Sequence, residues 1–284
     1  TRIPSDPNGS YVRDALKRGL ELKREGLGNP YDFGLVAASD THTAAASLDE
    51  ENYFGKVGTF DSDSEKRGST PASFLYGTLV KLAAPEMVER VDGADYLDFA
   101  GYKYWGASGI AGVWAESNTR ESIYDAMRRK ETFATSGTRI TVRFFAGYGL
   151  DDVSLSSPDL LRDAYASGSP MGASVQLEAD KEPTFFVWAQ ADPNAARLQR
   201  VQIIKGWLEE GEHRERVYDV ACSDGLNVDS VSHRCPDNGA RVNLSDCSIT
   251  ASVGSAELRT LWSDPDFLPQ QDAFYYVRVL ENPV

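Results

Sequence analysis

The sequence predicts an α/β segment followed by an all-β segment, and two observations carry that expectation. Between Tyr11 and His42 an amphipathic stretch gives way to an apolar run that ends in an Asp-x-His pair. Helix, strand and then polar residues at the strand's exit is the local order of α/β folds. From Ile140 onward, short apolar runs recur between turn residues, the signature of an antiparallel β-sandwich. This change of texture sets a boundary near residue 140 and gives two segments, 1–139 and 140–284.

Taken in order, Tyr11 to Glu25 reads as an amphipathic helix. Val12, Ala15, Leu16, Gly19, Leu20 and Lys23 share one face, and Lys and Arg occupy the other. Gly26, Gly28, Asn29 and Pro30 stop it. Phe33 to Ala37 reads as a strand, leading through Ala38-Ser39-Asp40-Thr41-His42 into the small-residue loop Thr43 to Ser47. Leu48 to Thr70 is acidic and polar and predicts a long loop, and Pro71 to Val91 predicts a helix. Gly93 to Gly112 is rich in glycine and aromatics (Tyr96, Phe99, Tyr102, Tyr104, Trp105), which suits a loop lining a cleft or packing against a neighbouring domain. Asn118 to Lys130 is the clearest helix. Asn118 is placed to cap it, Glu121 stands at the third position of a capping box, and Ile123, Ala126 and Met127 form its buried stripe. Glu131 to Gly137 follows as a short strand ending in a turn.

The strand-like runs of the second segment are Ile140 to Phe145, Ser174 to Ala179, Thr184 to Ala191, Arg200 to Leu208, Arg216 to Ala221 and Ala273 to Leu280. No internal repeat and no low-complexity tract interrupts them.

Composition narrows the function classes. The chain has 284 residues, 41% hydrophobic and 25% charged, enough for a sizeable core and suited to two domains. Its formal net charge of −14 argues against a nucleic-acid backbone or an anionic membrane surface as the main partner. It leaves room for an anionic small substrate, because a bound cation reverses the local field. No run approaches the roughly 20 apolar residues of a membrane span. The three cysteines, Cys222, Cys235 and Cys247, fall in one polar stretch without Cys-x-x-Cys spacing, which favours a staple over a nucleophile or a zinc site. A bridge between Cys222 and Cys235 would close an Asp/Asn/Gly-rich loop that has few apolar residues to order it, with Cys247 as the rival partner. Such a bridge implies an oxidising compartment, periplasmic or secreted, with the cytoplasm as the alternative.

The chemistry centres on Asp40 and His42. On an extended backbone, residues two apart point the same way, so this pair would present a carboxylate and an imidazole side by side. Those donors suit a divalent metal such as Zn, Mn or Fe. The plain alternative is a turn-capping aspartate beside a surface histidine. Only His213 and His233 remain as further imidazoles, so a larger metal site needs carboxylates or residues outside this chain. Asp224-Gly-Leu-Asn-Val-Asp229 faintly resembles a calcium loop, but lacks the spacing and the distal Glu and reads as a solvated turn.

Six segments carry a family resemblance. Phe33-Gly-Leu-Val-Ala-Ala-Ser-Asp-Thr-His42 resembles the last metal-ligand motif of the PHP (polymerase and histidinol phosphatase) metallohydrolase superfamily. Glu121 to Gly137 resembles the helix-strand element that follows it in PHP-like hydrolases with a trailing β-sandwich. Asn52-Tyr-Phe-Gly-Lys56, Gly112 to Glu121, Arg234-Cys-Pro-Asp-Asn-Gly239 and the stretch from Tyr275 through Glu281-Asn-Pro283 are similar to the bacterial family called domain of unknown function 3604. The resemblance implies the C-terminal part of a PHP-like distorted α/β barrel plus an antiparallel β-sandwich. The His-x-His motif and further ligands that open PHP proteins have no match in residues 1 to 39, so the missing N-terminal segment of the same protein is an expected partner, and the chain as given is expected to bind metal weakly. Cys247 is then expected to stay free or to pair with a cysteine beyond Val284.

The activity implied is metal-dependent hydrolysis of a small-molecule ester (phosphate, sulfate, carbamate or carboxylate), with two or three divalent ions in the complete site and Asp40 and His42 among their ligands. Lys56 and Arg139 are candidates for contacts to a substrate anion, against the plain reading of solvated charges. Tyr102 and Trp114 are candidates to wall the pocket, against ordinary packing. The alternative function is a non-catalytic exported binding or structural module, or an inactive fragment, with a vestigial metal site.

Overall fold

The computed structural model describes residues 9–45, 56–58, 61–98, 105–106, 109–176, 178, 181–243 and 248–284. The chain divides into two units. One comprises Thr1–Leu35, Val113–Phe133 and Ile140–Val284, and the other Val36–Gly112 and Ala134–Arg139.

The first 139 residues hold the helices α1 (Val12–Arg24), α2 (Ser64–Arg67), α3 (Phe74–Ala83) and α4 (Arg120–Arg128). They also hold the short strands β1 (Val88–Val91), β2 (Ala94–Leu97), β3 (Ile110–Val113) and β4 (Thr132–Thr135). β1 pairs antiparallel with β2, and β3 pairs with β4. Among the described residues no sheet closes into a barrel. α4 starts one residue later than its sequence signal. Thr119, not Asn118, is the cap, and its hydroxyl accepts the Ser122 N–H at 3.3 Å. Met127 proves 48% exposed, so the buried stripe of α4 reduces to Ala126 and half-buried Ile123.

The remainder contains β5 (Thr141–Gly147), α5 (Leu160–Ser167), β6 (Ser169–Pro170), β7 (Thr184–Gln190), β8 (Leu198–Glu209), β9 (Glu212–Cys222), β10 (Val242–Asn243), β11 (Ser248–Ile249), β12 (Glu257–Ser263) and β13 (Ala273–Glu281). Two larger antiparallel sheets form, with strand orders β12-β7-β5-β6 and β13-β8-β9. Successive side chains of a strand point to opposite faces. On β5 and β7 this sends Phe144, Phe185, Val187 and Ala189 into one core with Leu198, Val201 and Ile203 of β8 and Tyr218 and Val220 of β9. The same alternation sends Phe145 and Phe186 the other way, against Leu150, Val153 and the α5 residues Leu160 and Ala164. A sheet covered on both faces explains why Thr184 to Ala191 reads as a continuous apolar run. α1 lies in this unit too. Its Lys17 faces Glu215 of β9 at 3.8 Å and its Glu21 faces His213 at 3.2 Å.

At the end of β12 a buried polar cluster interrupts the apolar interior. The Lys205 ammonium, 2% exposed, donates to the Asp264 carboxylate and to the Asp266 carbonyl, both at 2.7 Å. Tyr275 donates to Asp264 at 2.7 Å and Tyr218 to Asp266 at 2.5 Å. Burial, and then the bond to a carboxylate, pushes both phenols well above the usual tyrosine range. The cluster pins the β12–β13 connection to the three-stranded sheet.

Cys222 and Cys235 form the expected disulfide, with Cα atoms 5.6 Å apart. Cys247 lies outside the described residues. The closed loop has a second anchor. The buried Asp219 carboxylate accepts from the Cys235 N–H (2.7 Å), the Gln202 amide (2.6 Å) and Arg200 (2.9 Å). Reducing the bridge, or replacing Cys222 and Cys235 by serine, should lower unfolding stability by about 3 kcal/mol in the chain-entropy model for a loop of this size. Urea titration with and without reductant measures it, and identical midpoints would contradict it. Among the described residues no helix is long and apolar enough to cross a membrane.

Ser174 to Ala179 shows no strand among its described residues, and Phe33 to Ala37 forms no ladder. The expected loop Leu48 to Thr70 holds the short α2, the helix expected over Pro71 to Val91 ends at Ala83 and gives way to β1, and β2 and β3 form where a loop was expected. Among the longer elements of the second segment, α5, which is only eight residues long, and β12, whose Glu257 and Arg259 hide its apolar alternation, went unpredicted.

Candidate functional site

The segment that leads to Asp40 is not a buried strand. Val36 is 60% exposed and Phe33 38%. Its position is fixed by close backbone approach instead. A Cβ added at Gly109 would fall 2.9 Å from both the Ala37 methyl and the Ala38 carbonyl oxygen, and 3.1 Å from the Thr135 carbonyl oxygen. Only glycine fits between these chains, so Gly109 is what lets Ala37-Ala38 lie against β4.

Two residues further on, the backbone turns. Asp40 has φ 55°, in the left-handed region, and so does Ala44 at 59°. This corrects the same-face argument, because the alternation of an extended strand does not run through Asp40. A different link joins the pair. Nδ1 of His42 lies 3.0 Å from the Asp40 backbone carbonyl oxygen, not from its carboxylate. A carbonyl only accepts, so this bond places the ring proton on Nδ1 and leaves the Nε2 lone pair for another partner. Both side chains are exposed.

The loop is braced from behind. The His42 N–H donates to the Lys56 carbonyl at 2.7 Å. The Lys56 and Val57 N–H groups donate to the two oxygens of Asp61, at 2.6 and 2.9 Å. Asp61 is fully buried. Threonine hydroxyls knit the outer turn, where Thr41 accepts the Thr43 N–H at 3.3 Å and Thr43 accepts the Ala45 N–H at 3.4 Å. The Lys56 ammonium stands 5.8 Å from the centre of the Trp105 ring, within cation-π range.

Of the residues singled out from sequence, the structure brings Asp40, His42 and Lys56 together. Arg139 is exposed, and Tyr102 lies outside the described residues. Trp114 belongs to the other unit. There its indole N–H donates to the Val142 carbonyl at 2.8 Å and the Arg143 guanidinium sits 3.6 Å from its ring centre, which is the setting of a packing residue. The calcium-like loop is occupied by its own bonds. Asp224 accepts the Gly254 N–H with both oxygens, at 2.9 and 3.0 Å, and Asp229 accepts from the Ser232 N–H and hydroxyl, both at 2.7 Å. Asp61 was missed. Its only sequence signal is an aspartate three residues after Gly58, inside a stretch read as a polar loop.

Among the described residues of this loop, Asp40 and His42 are the two side chains of the donor types that a hard-to-borderline cation takes. Among the described residues no group of three His, Cys, Asp or Glu side chains could hold a metal ion. A family model described as "Protein of unknown function (DUF3604)" matches residues 1–284. No curated protein and no solved structure matches the chain.

Proposed function

The chain belongs to this DUF3604 family of proteins of unknown function, and we propose that it is the C-terminal part of a PHP-like metal-dependent hydrolase of phosphate, sulfate, carbamate or carboxylate esters, followed by a β-sandwich. The observation that supports this most is the 3.0 Å bond between His42 Nδ1 and the Asp40 carbonyl. Metal-ligating histidines commonly spend one ring N–H on a carbonyl, which orients the other nitrogen outward. Asp40 and His42 would hold a divalent ion (Zn, Mn or Fe) together with donors beyond those described. Such an ion, when bound, lowers the pKa of a coordinated water toward about 7 and polarises the ester. The chain's own residues do the rest. His42 orients through Asp40, Asp40 offers an exposed carboxylate, and Lys56, whose backbone carbonyl takes the His42 N–H and whose ammonium stands over Trp105, would supply the cation for a substrate anion.

The disulfide supports a periplasmic or secreted location. With the exposed setting of Asp40 and His42, it also supports a second reading, an exported binding or structural module with a vestigial metal site. A panel of chromogenic esters decides between them. The full-length gene product, stripped of metal and reloaded with Mn, Zn or Fe, should hydrolyse at least one ester class only when loaded. No metal-dependent turnover with any ester or ion would leave the second reading standing.

A further inference from the structure

We infer that Asp61 is a positioning residue for His42. The inference rests on the reading of His42 as a metal ligand and extends it one layer inward.

The geometry is a chain of three polar groups with one peptide unit at its centre. The Lys56 carbonyl and the Val57 N–H belong to the same peptide. Its oxygen accepts the His42 N–H at 2.7 Å, and its N–H donates to Asp61 Oδ1 at 2.9 Å. The second carboxylate oxygen takes the Lys56 N–H at 2.6 Å. The Asp61 N–H returns to the Gly58 carbonyl at 3.2 Å, so the turn closes on itself. A carboxylate pulling on the Val57 N–H polarises that peptide and strengthens its carbonyl as an acceptor for His42. Charge-assisted bonds of this kind are shorter and stronger than neutral ones, which fits the 2.6 Å contact.

Burial sharpens the argument. Asp61 is 0% exposed, and burying a carboxylate is costly unless hydrogen bonds hold it. A serine or threonine could cap a loop at lower cost, but neither offers two anionic oxygens to two successive N–H groups. Gly58 belongs to the same brace. It has φ 84°, and a Cβ there would stand 3.0 Å from the Thr43 methyl, one residue past His42. The turn that Asp61 closes therefore touches the metal loop at two places, the His42 N–H and the Thr43 side chain. His42 is held on one side by the Asp40 carbonyl and on the other by the peptide that Asp61 fixes.

Asp61→Asn tests this, because an amide puts a donor where one of the two N–H groups needs an acceptor. The chain has three histidines, so long-range proton–nitrogen NMR resolves each imidazole. In the wild type His42 should show the Nδ1–H tautomer. In the variant that preference should be lost while the His213 and His233 signals stay put, and Mn or Zn affinity should fall about 10- to 100-fold, the usual cost of an outer-shell change. A His42 tautomer and an affinity both unchanged in a folded variant would overturn the inference. Should the variant not fold, amide exchange in the wild type decides. The His42, Lys56 and Val57 N–H groups should exchange together as one protected unit. A His42 amide that exchanges with the outer loop instead would overturn it. If the full-length gene product takes up neither Mn nor Zn, the metal reading fails, while tautomer and exchange in this chain still decide the role of Asp61.

Discussion

Replacing Lys205 by alanine should cost about 3–5 kcal/mol of unfolding stability, the penalty for stranding one member of a buried ion pair. The Asp264 carboxylate is 2% exposed and receives Lys205 at 2.7 Å, Tyr275 at 2.7 Å and, on its other oxygen, the Asp266 N–H at 2.9 Å. Without the ammonium, a negative charge remains in the interior with only neutral donors around it. The Asp266 carbonyl loses its partner as well. The charge is the expensive part, so pairing Lys205→Met with Asp264→Asn should recover part of the loss, because asparagine keeps an acceptor for Tyr275 and carries no charge. Urea unfolding of the single and double variants measures this. A single variant within about 1 kcal/mol of wild type would show that water reaches the cluster and that it is no anchor.

Removing His42 or Asp40 should have the largest effect on metal binding. A directly coordinating side chain matters more than the outer-shell groups whose loss costs about 10- to 100-fold, so either alanine variant should lose more than about 100-fold in Mn or Zn affinity. The two losses should not add. If both groups hold one ion, the double variant should be little worse than either single one. Equilibrium dialysis with elemental analysis reads the affinity, and ester turnover should fall in step. Unchanged metal content in both single variants would sink the assignment.

How much of this was legible depends on whether a residue's role is carried by its neighbours in sequence or by distant backbone. α1 was legible because its apolar residues repeat at helical spacing and glycines end it. β7 was legible because a sheet buried on both faces needs a continuous apolar run. β12 was not, because as an outer strand it carries Glu257 and Arg259, which bond to and stack on Trp188 across the strand pair. At the site, Asp40 and His42 were found as residue types, but the argument from strand alternation failed at the left-handed φ of Asp40. What ties them is a ring nitrogen on a main-chain carbonyl, and every residue has a carbonyl. Asp61 was invisible for the same reason, since its partners are backbone N–H groups. The disulfide was legible because that polar loop has few apolar residues to order it by burial.

The central claim is that His42 offers its Nε2 lone pair to a divalent ion beside Asp40. Titrating Zn into the metal-free full-length protein while recording the imidazole nitrogens tests it most directly. The result predicted is a selective shift of His42 Nε2, with His42 Nδ1 keeping its proton and the His213 and His233 nitrogens unmoved. A titration in which Zn leaves His42 untouched, or shifts His42, His213 and His233 alike, would contradict it.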